Sequence, residues 1–225
     1  MFNRNIGRFH FAVLLMLLIV FAKHHLHYSI ADTLMRAVGL SPWSNAKYNT
    51  GVYIPNVVGL IVIGFVIILT SNYYRPLNPK ILRTLILSSI AFAMIFPFVT
   101  EQTLFLVKHN SSGIHSFDYD REKSRCSYSS KDNSVIAKCD IAYFNYGKEN
   151  NITIKPFFKR RNDGENLISS MEFEARNISI SPHTSGGVGA DFISLKSIPE
   201  DYSSMSGSPQ EVGVEITING VTKIY

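Results

Sequence analysis

The residues best suited to chemistry are few and sit in three places. The run "KHHLHY" puts His24, His25 and His27 within four residues, just after the first apolar stretch. Histidine is a common metal ligand and titrates near neutral pH, so the trio suggests an exterior metal site or a pH-sensitive surface. Continued as a helix, the run sets His24 and His27 on one face and His25 on another, so two of the three would ligate together. Asp32 is the only acid nearby. A polar fringe at a membrane interface accounts for the run better than a metal centre, and no cofactor is expected.

Glu101 is the only acid within a hydrophobic segment. A carboxylate held in hydrocarbon marks a functional site. The apolar stretch from Thr84 to Thr100 already approaches spanning length, which places Glu101 near the outer headgroups.

Cys126 and Cys139 are the only cysteines. A zinc site needs four ligands at close spacing, and this pair has no adjacent histidine. Asp132-Asn133 suits a two-residue hairpin loop, because both residue types tolerate left-handed backbone. With that loop, Lys131 faces Ser134 and Cys126 faces Cys139 at a non-hydrogen-bonded position, where Cα atoms lie about 4.5 Å apart. A disulfide accepts that separation. Such a bridge joins neighbouring strands, unlike the inter-sheet bridge of antibody domains.

Other polar features read blandly. Lys159, Arg160 and Arg161 suit an anionic lipid or polymer, but a solvated strand end is the commoner meaning. "SGGVGAD", Ser185 to Asp191, lacks the spacing and Lys-Ser/Thr ending of a phosphate loop and is expected to be a turn. Asn110, Asn151 and Asn177 open N-x-S/T sequons, which matter only in a glycosylating host. No nucleophile, base and orienting group assemble into a catalytic pattern.

The elements that carry these residues divide at Lys108. Across the chain 46% of residues are hydrophobic, yet they concentrate before residue 108. Residues 1–107 hold 8 Lys/Arg against 2 Asp/Glu, and residues 108–225 hold 14 against 15. The basic excess therefore flanks membrane segments and calls for no nucleic-acid partner.

Three spans are expected, near residues 9–28, 52–71 and 84–107. The first, "FHFAVLLMLLIVFA", reaches spanning length only if "KHHLHYSI" continues its helix. Its alternative is a signal peptide cleaved after Ala22. The second is long and uninterrupted, and Pro97 should kink the third. The loop "NYYRPLNPKILR" carries Arg75, Lys80 and Arg83 without an acid, so loop 72–83 and the N-terminus belong in the cytoplasm. Residues 108–225 are then extracytoplasmic under either reading of the first segment.

In the tail, "CDIAYFNYG", "NITIKPFFKR", "ISSMEFEARNISISPH", "GGVGADFISL" and "EVGVEITINGVTKIY" are short β-branched and aromatic runs separated by turn residues. With the cysteine hairpin they make about seven strands, as expected of an antiparallel sandwich. In pattern, though not in motif, the block resembles small immunoglobulin-like modules outside bacterial membranes. The expected protein is a membrane helical region followed by an all-β, immunoglobulin-like or similar sandwich. It would display a non-catalytic binding domain to a membrane or envelope protein partner while its helices sit in the lipid bilayer.

Two other functions stay open. One is an accessory subunit of a transporter, channel or membrane enzyme complex. Pro55, Asn56, Pro97 and Glu101 would touch the other subunit, with Gly59, Gly64, Ser88 and Ser89 allowing close helix packing. The other is an exterior metal-handling protein built on His24 and His27.

Overall fold

The computed structural model describes residues 4–46, 50–131, 134–158, 171–196, 206–209 and 212–225. They form a helical unit, Met1–Gln102, and a mainly β unit, Thr103–Tyr225.

The helical unit contains α1 (Arg4–Phe21), α2 (Ile30–Ala37), a short hairpin of β1 (Trp43–Asn45) and β2 (Thr50–Tyr53), then α3 (Ile54–Tyr74) and most of α4 (Ile81–Val107). Helices α3 and α4 are long and apolar enough to cross a membrane, while α1 is apolar but shorter. The first segment departs from expectation because its helix stops at Phe21. His27 takes a left-handed φ of 65°, and Ser29 opens a new helix through a reciprocal capping box with Asp32. Those local bonds outcompete helix continuation, so His24, His25 and His27 lie in a turn. The second expected span, α3, begins at Ile54, after Val52 and Tyr53 have joined β2. Pro55 suits the first turn, where its missing N–H has no partner to lose.

Helices α1 and α3 run antiparallel in contact at both ends. A Cβ at Gly59 would lie 2.9 Å from the Phe21 ring, and one at Gly7 would run into the rings of Tyr73 and Tyr74. Leu14 of α1 is buried in one cluster with Val66 and Ile67 of α3 and Leu85 of α4. Hydroxyls in the apolar helices bond backward along their own helix: Thr70 to the Val66 carbonyl at 2.7 Å, Ser89 to Leu85 at 2.8 Å, and Ser88 to Thr84. Each is thereby satisfied without water. Pro97 lies inside α4, and Thr100 Oγ1 donates to its carbonyl at 2.8 Å.

The β unit has two antiparallel four-stranded sheets among the described residues. Its strands are β3 (Phe117–Lys131), β4 (Ser134–Asn145), β5 (Asn151–Phe158), β6 (Arg176–Ser179), β7 (Thr184–Ile193), β8 (Ser206–Gly207), β9 (Val212–Ile218) and β10 (Val221–Ile224). One sheet is ordered β7-β4-β3-β8 and the other β10-β9-β5-β6. Alternation along β4 and β9 turns Val135, Ala137, Ile141, Val214 and Ile216 inward, where residues of both sheets form one core. Consequently β5 does not fold back on β4; it crosses to the second sheet. The β9–β10 hairpin turns at Asn219 and Gly220, both at positive φ, as its Asn-Gly signal requires.

The cysteine hairpin has the expected register, with Lys131 opposite Ser134 and Cys126 opposite Cys139. The Asp132-Asn133 loop itself lies outside the described residues. A disulfide joins the two cysteines across a Cα separation of 4.1 Å. Further along, the partner of Asp140 is Arg125 but the partner of Ala142 is Asp120, so residues 121–124 bulge from β3. Ser124 closes the gap: its Oγ accepts the Ala142 N–H at 2.9 Å and donates to the Asp120 carbonyl at 2.7 Å.

Tyr119 links the sheets through its hydroxyl, which donates to the Val212 carbonyl at 3.1 Å. Burial pushes its phenol above the usual value of 10.0. The folded state therefore holds the proton that the unfolded chain releases first, so the contribution of Tyr119 to stability is level below pH 10 and falls above it. Tyr119→Phe is expected to cost about 1 kcal/mol at pH 7 for the lost hydrogen bond. It should also flatten the alkaline decline, as read from urea midpoints at pH 7 and above pH 10.

Candidate functional site

Of the four edges that the described residues give these two sheets, three are blunt. Strand β8 has two residues, β6 has four and carries Arg176, and β10 has four and carries Lys223. Strand β7 is different: ten residues long, it runs beside β4 from Asn145↔Thr184 to Ile136↔Ile193 without a bulge. Between Thr184 and Asp191 it has no proline and no basic residue. Natural proteins protect long edges with such features, because an open edge templates another strand.

The direction of its hydrogen bonds follows from neighbouring contacts. Ser194 N–H donates to the Val135 carbonyl at 2.8 Å, so even-numbered residues here bond toward β4. Odd-numbered residues bond away, as Ile193 does by accepting the Glu174 N–H at 2.9 Å. By this alternation Gly187, Gly189 and Asp191 direct N–H and C=O groups outward, and among the described residues no strand pairs with them.

A cleft of about 840 Å³ adjoins this edge, lined from β7, β4 and β6 and by Ser127 of β3. Half-buried Val188 and Ala190 present core-facing side chains to it. Lys138, Asp140, Arg176 and Asp191 supply two charges of each sign, all exposed. The arrangement offers paired backbone donors and acceptors at alternate residues, an apolar strip on one face and mixed charge on the other. An extended peptide matches all three.

The candidates singled out from residue type and spacing lie elsewhere. His24 Nδ1 accepts the Leu26 N–H at 3.1 Å, and its ring packs on Tyr28 with centroids 3.8 Å apart. His25 is buried, with its backbone N–H and ring Nδ1 each 3.3 Å from Thr100 Oγ1. The turn thus separates the shared helical face that His24 and His27 were expected to offer. No group of three or more His, Cys, Asp or Glu suited to a metal occurs among the described residues. Glu101 is half-buried on α4.

Gly59 receives Phe21, whereas Gly64 has open space beside it. Pro55 is buried and Asn56 exposed, and all three sequon asparagines are exposed. Lys159, Arg160 and Arg161 lie outside the described residues. "SGGVGAD" is not the expected turn but the body of β7, where Gly186 bonds toward β4 while Gly187 and Gly189 bond away from it. Sequence reasoning therefore passed over the feature that makes the edge accessible. Three glycines in a strand weaken it intrinsically, and that same lack of side chains signals close approach by another backbone.

No family model matches the chain, and no curated protein or solved structure matches it either.

Proposed function

We propose that this chain is an integral membrane protein that displays a non-catalytic, immunoglobulin-like sandwich outside the cytoplasm. The domain binds an extended segment of a membrane or envelope protein along β7. The observation carrying this reading is the unprotected, glycine-rich edge with its adjoining cleft.

Four considerations support the membrane arrangement. Arg75, Lys80 and Arg83 hold the α3–α4 connection in the cytoplasm. Helix α1, about 27 Å long at 1.5 Å per residue, meets α3 at both ends and serves as the third span. The rise from Arg83 to Glu101 is also about 27 Å, close to a hydrocarbon core of about 30 Å, which leaves Glu101 at the outer headgroups. The disulfide suits the oxidising exterior that this orientation gives the β unit.

The test uses the full chain in intact cells, with a photoreactive side chain at residue 189 and a control at Thr222 on β10. Residue 189 should yield a discrete protein adduct whose linked residues lie in one extended segment, and residue 222 should not. Gly187→Pro with Gly189→Pro removes two outward N–H groups while sparing the bonds to β4, and should reduce the adduct at Val188 at least tenfold. Equal adducts from the edge-blocked protein would sink the proposal.

One observation favours a second reading. Among described residues of α4 only Leu85 is buried, and Gly64 on α3 is open. An accessory subunit would use these surfaces against another membrane protein. A photoreactive residue at Met94 that captures one protein, even after residues 108–225 are deleted, would select this reading over the first.

A further inference from the structure

Helix α2 is short enough to need external support, and its ends are unusually well specified. Eight residues form too little helix to persist in water on propensity alone. At the N-terminus the Ser29 backbone N–H donates to Asp32 Oδ2 at 2.6 Å, and the Ser29 hydroxyl receives the Asp32 N–H at 3.3 Å. At the C-terminus Gly39, at φ 79°, donates to the Arg36 carbonyl at 3.0 Å, and Leu40 N–H reaches back to Met35 at 2.8 Å. These two bonds form a complete Schellman closure, which folds Leu40 back toward the helix.

The capped helix exposes an apolar stripe. Ile30 is 45% exposed, Leu34 57%, Val38 72% and Leu40 58%. Ile30, Leu34 and Val38 follow one another at four-residue spacing and share a face. Ala31 and Asp32 occupy the buried side, while Thr33 and Arg36 make the exposed polar border. With Asp32 buried, Arg36 is the only exposed charge on the helix.

Contacts within the helical unit fix the level at which this stripe lies. Four residues before Ser29, His25 is bonded to Thr100, at the end of the apolar part of α4. Lys23 sits 4.7 Å from the centre of the Tyr53 ring, immediately before α3 begins. Tyr53 packs on Trp43 at 4.8 Å. Helix α2 therefore starts where α1 ends, α3 begins and α4 completes its apolar length, among the Trp, Tyr and Lys side chains that favour a membrane–water boundary.

We infer that α2 lies in the outer interface of the bilayer, its Ile30, Leu34, Val38 and Leu40 stripe in the acyl boundary and Arg36 reaching phosphate. This rests on the spanning of α3 and α4 proposed above. The bilayer covers a stripe that the described residues leave bare, and in doing so stabilises a helix too short to stand alone.

Site-directed spin labels on the full chain test the inference in vesicles of phosphatidylcholine and phosphatidylglycerol at 3:1. Single cysteines replace Leu34, Val38, Thr33 and, as a reference on α3, Ile61; the native cysteines remain paired. Labels at 34 and 38 should be several-fold more accessible to oxygen than to a water-soluble nickel complex, with the label at 33 reversed. A label at 61 facing lipid while 34 and 38 face water would overturn the inference and leave the spanning helices intact. Labels at 34 and 38 shielded from both reagents would overturn it in favour of a protein contact. A water-exposed label at 61 would overturn the spanning reading itself.

Discussion

Replacing Cys126 and Cys139 together with alanine lowers the stability of the β unit by about 3 kcal/mol, the chain-entropy value for a loop of this size. The expectation comes from the sequence separation of 13 residues, which the bridge closes in the unfolded chain. Both cysteines lie in the core, so alanine avoids burying a new polar group there. Pulse proteolysis of the full chain across a urea series should show a midpoint lower by roughly 1–3 M, the range set by ordinary urea slopes. A midpoint unchanged by the double substitution would mean that the β3–β4 ladder already supplies the constraint.

Asn145→Ala is expected to cost about 1–3 kcal/mol, since the half-buried Glu149 carbonyl loses its side-chain donor while the Ser181 carbonyl keeps the Thr184 hydroxyl at 2.8 Å. Asn145 is fully buried at the end of β4, and its Nδ2 donates to the Glu149 carbonyl at 2.7 Å and the Ser181 carbonyl at 2.9 Å. One side chain thereby ties the β4–β5 turn to the connection between β6 and β7. Asn145→Asp should be worse at neutral pH, because an ionised carboxylate would face two acceptors. Protonation restores a donor, so part of the loss should return as pH falls. The same urea series, read at neutral and mildly acidic pH, checks both results; an Asp variant as stable as Asn at neutral pH would remove the argument.

Particular residues show how far sequence reasoning carries. The Cys126–Cys139 register followed from counting outward from a two-residue loop, because antiparallel pairing leaves no freedom once the loop is set. The β9–β10 turn followed from Asn219-Gly220 for the same local reason. Asn145 illustrates the limit. Its residue type announces a turn, and nothing beside it reveals that Ser181 will come within hydrogen-bonding distance. Glu149 was likewise silent, although its carboxylate receives Gly113 N–H at 2.5 Å and Asn219 Nδ2 at 3.4 Å.

The helices divide in the same way. Apolar length alone marked α3 and α4, since burying or spanning about 20 such residues leaves few other structures. The end of α1 was set by the bonds of Ser29 and Asp32, a capping signal that can be read locally but was outweighed by the apolar run before it.

The candidate site belongs to tertiary structure almost entirely. A glycine-rich run has the same composition in a turn and in a strand, and only pairing with β4 makes Gly187 and Gly189 members of an edge. That the edge is unpaired among the described residues depends on sheet order, which places β7 last. Local and strongly periodic features were legible in the order of residues alone: apolar helices, a basic connection, a stapled hairpin and short alternating strands. Which strand lies outermost, and which backbone groups are left to meet a partner, emerged only from the folded arrangement, because those are outcomes of contacts between residues far apart in the chain.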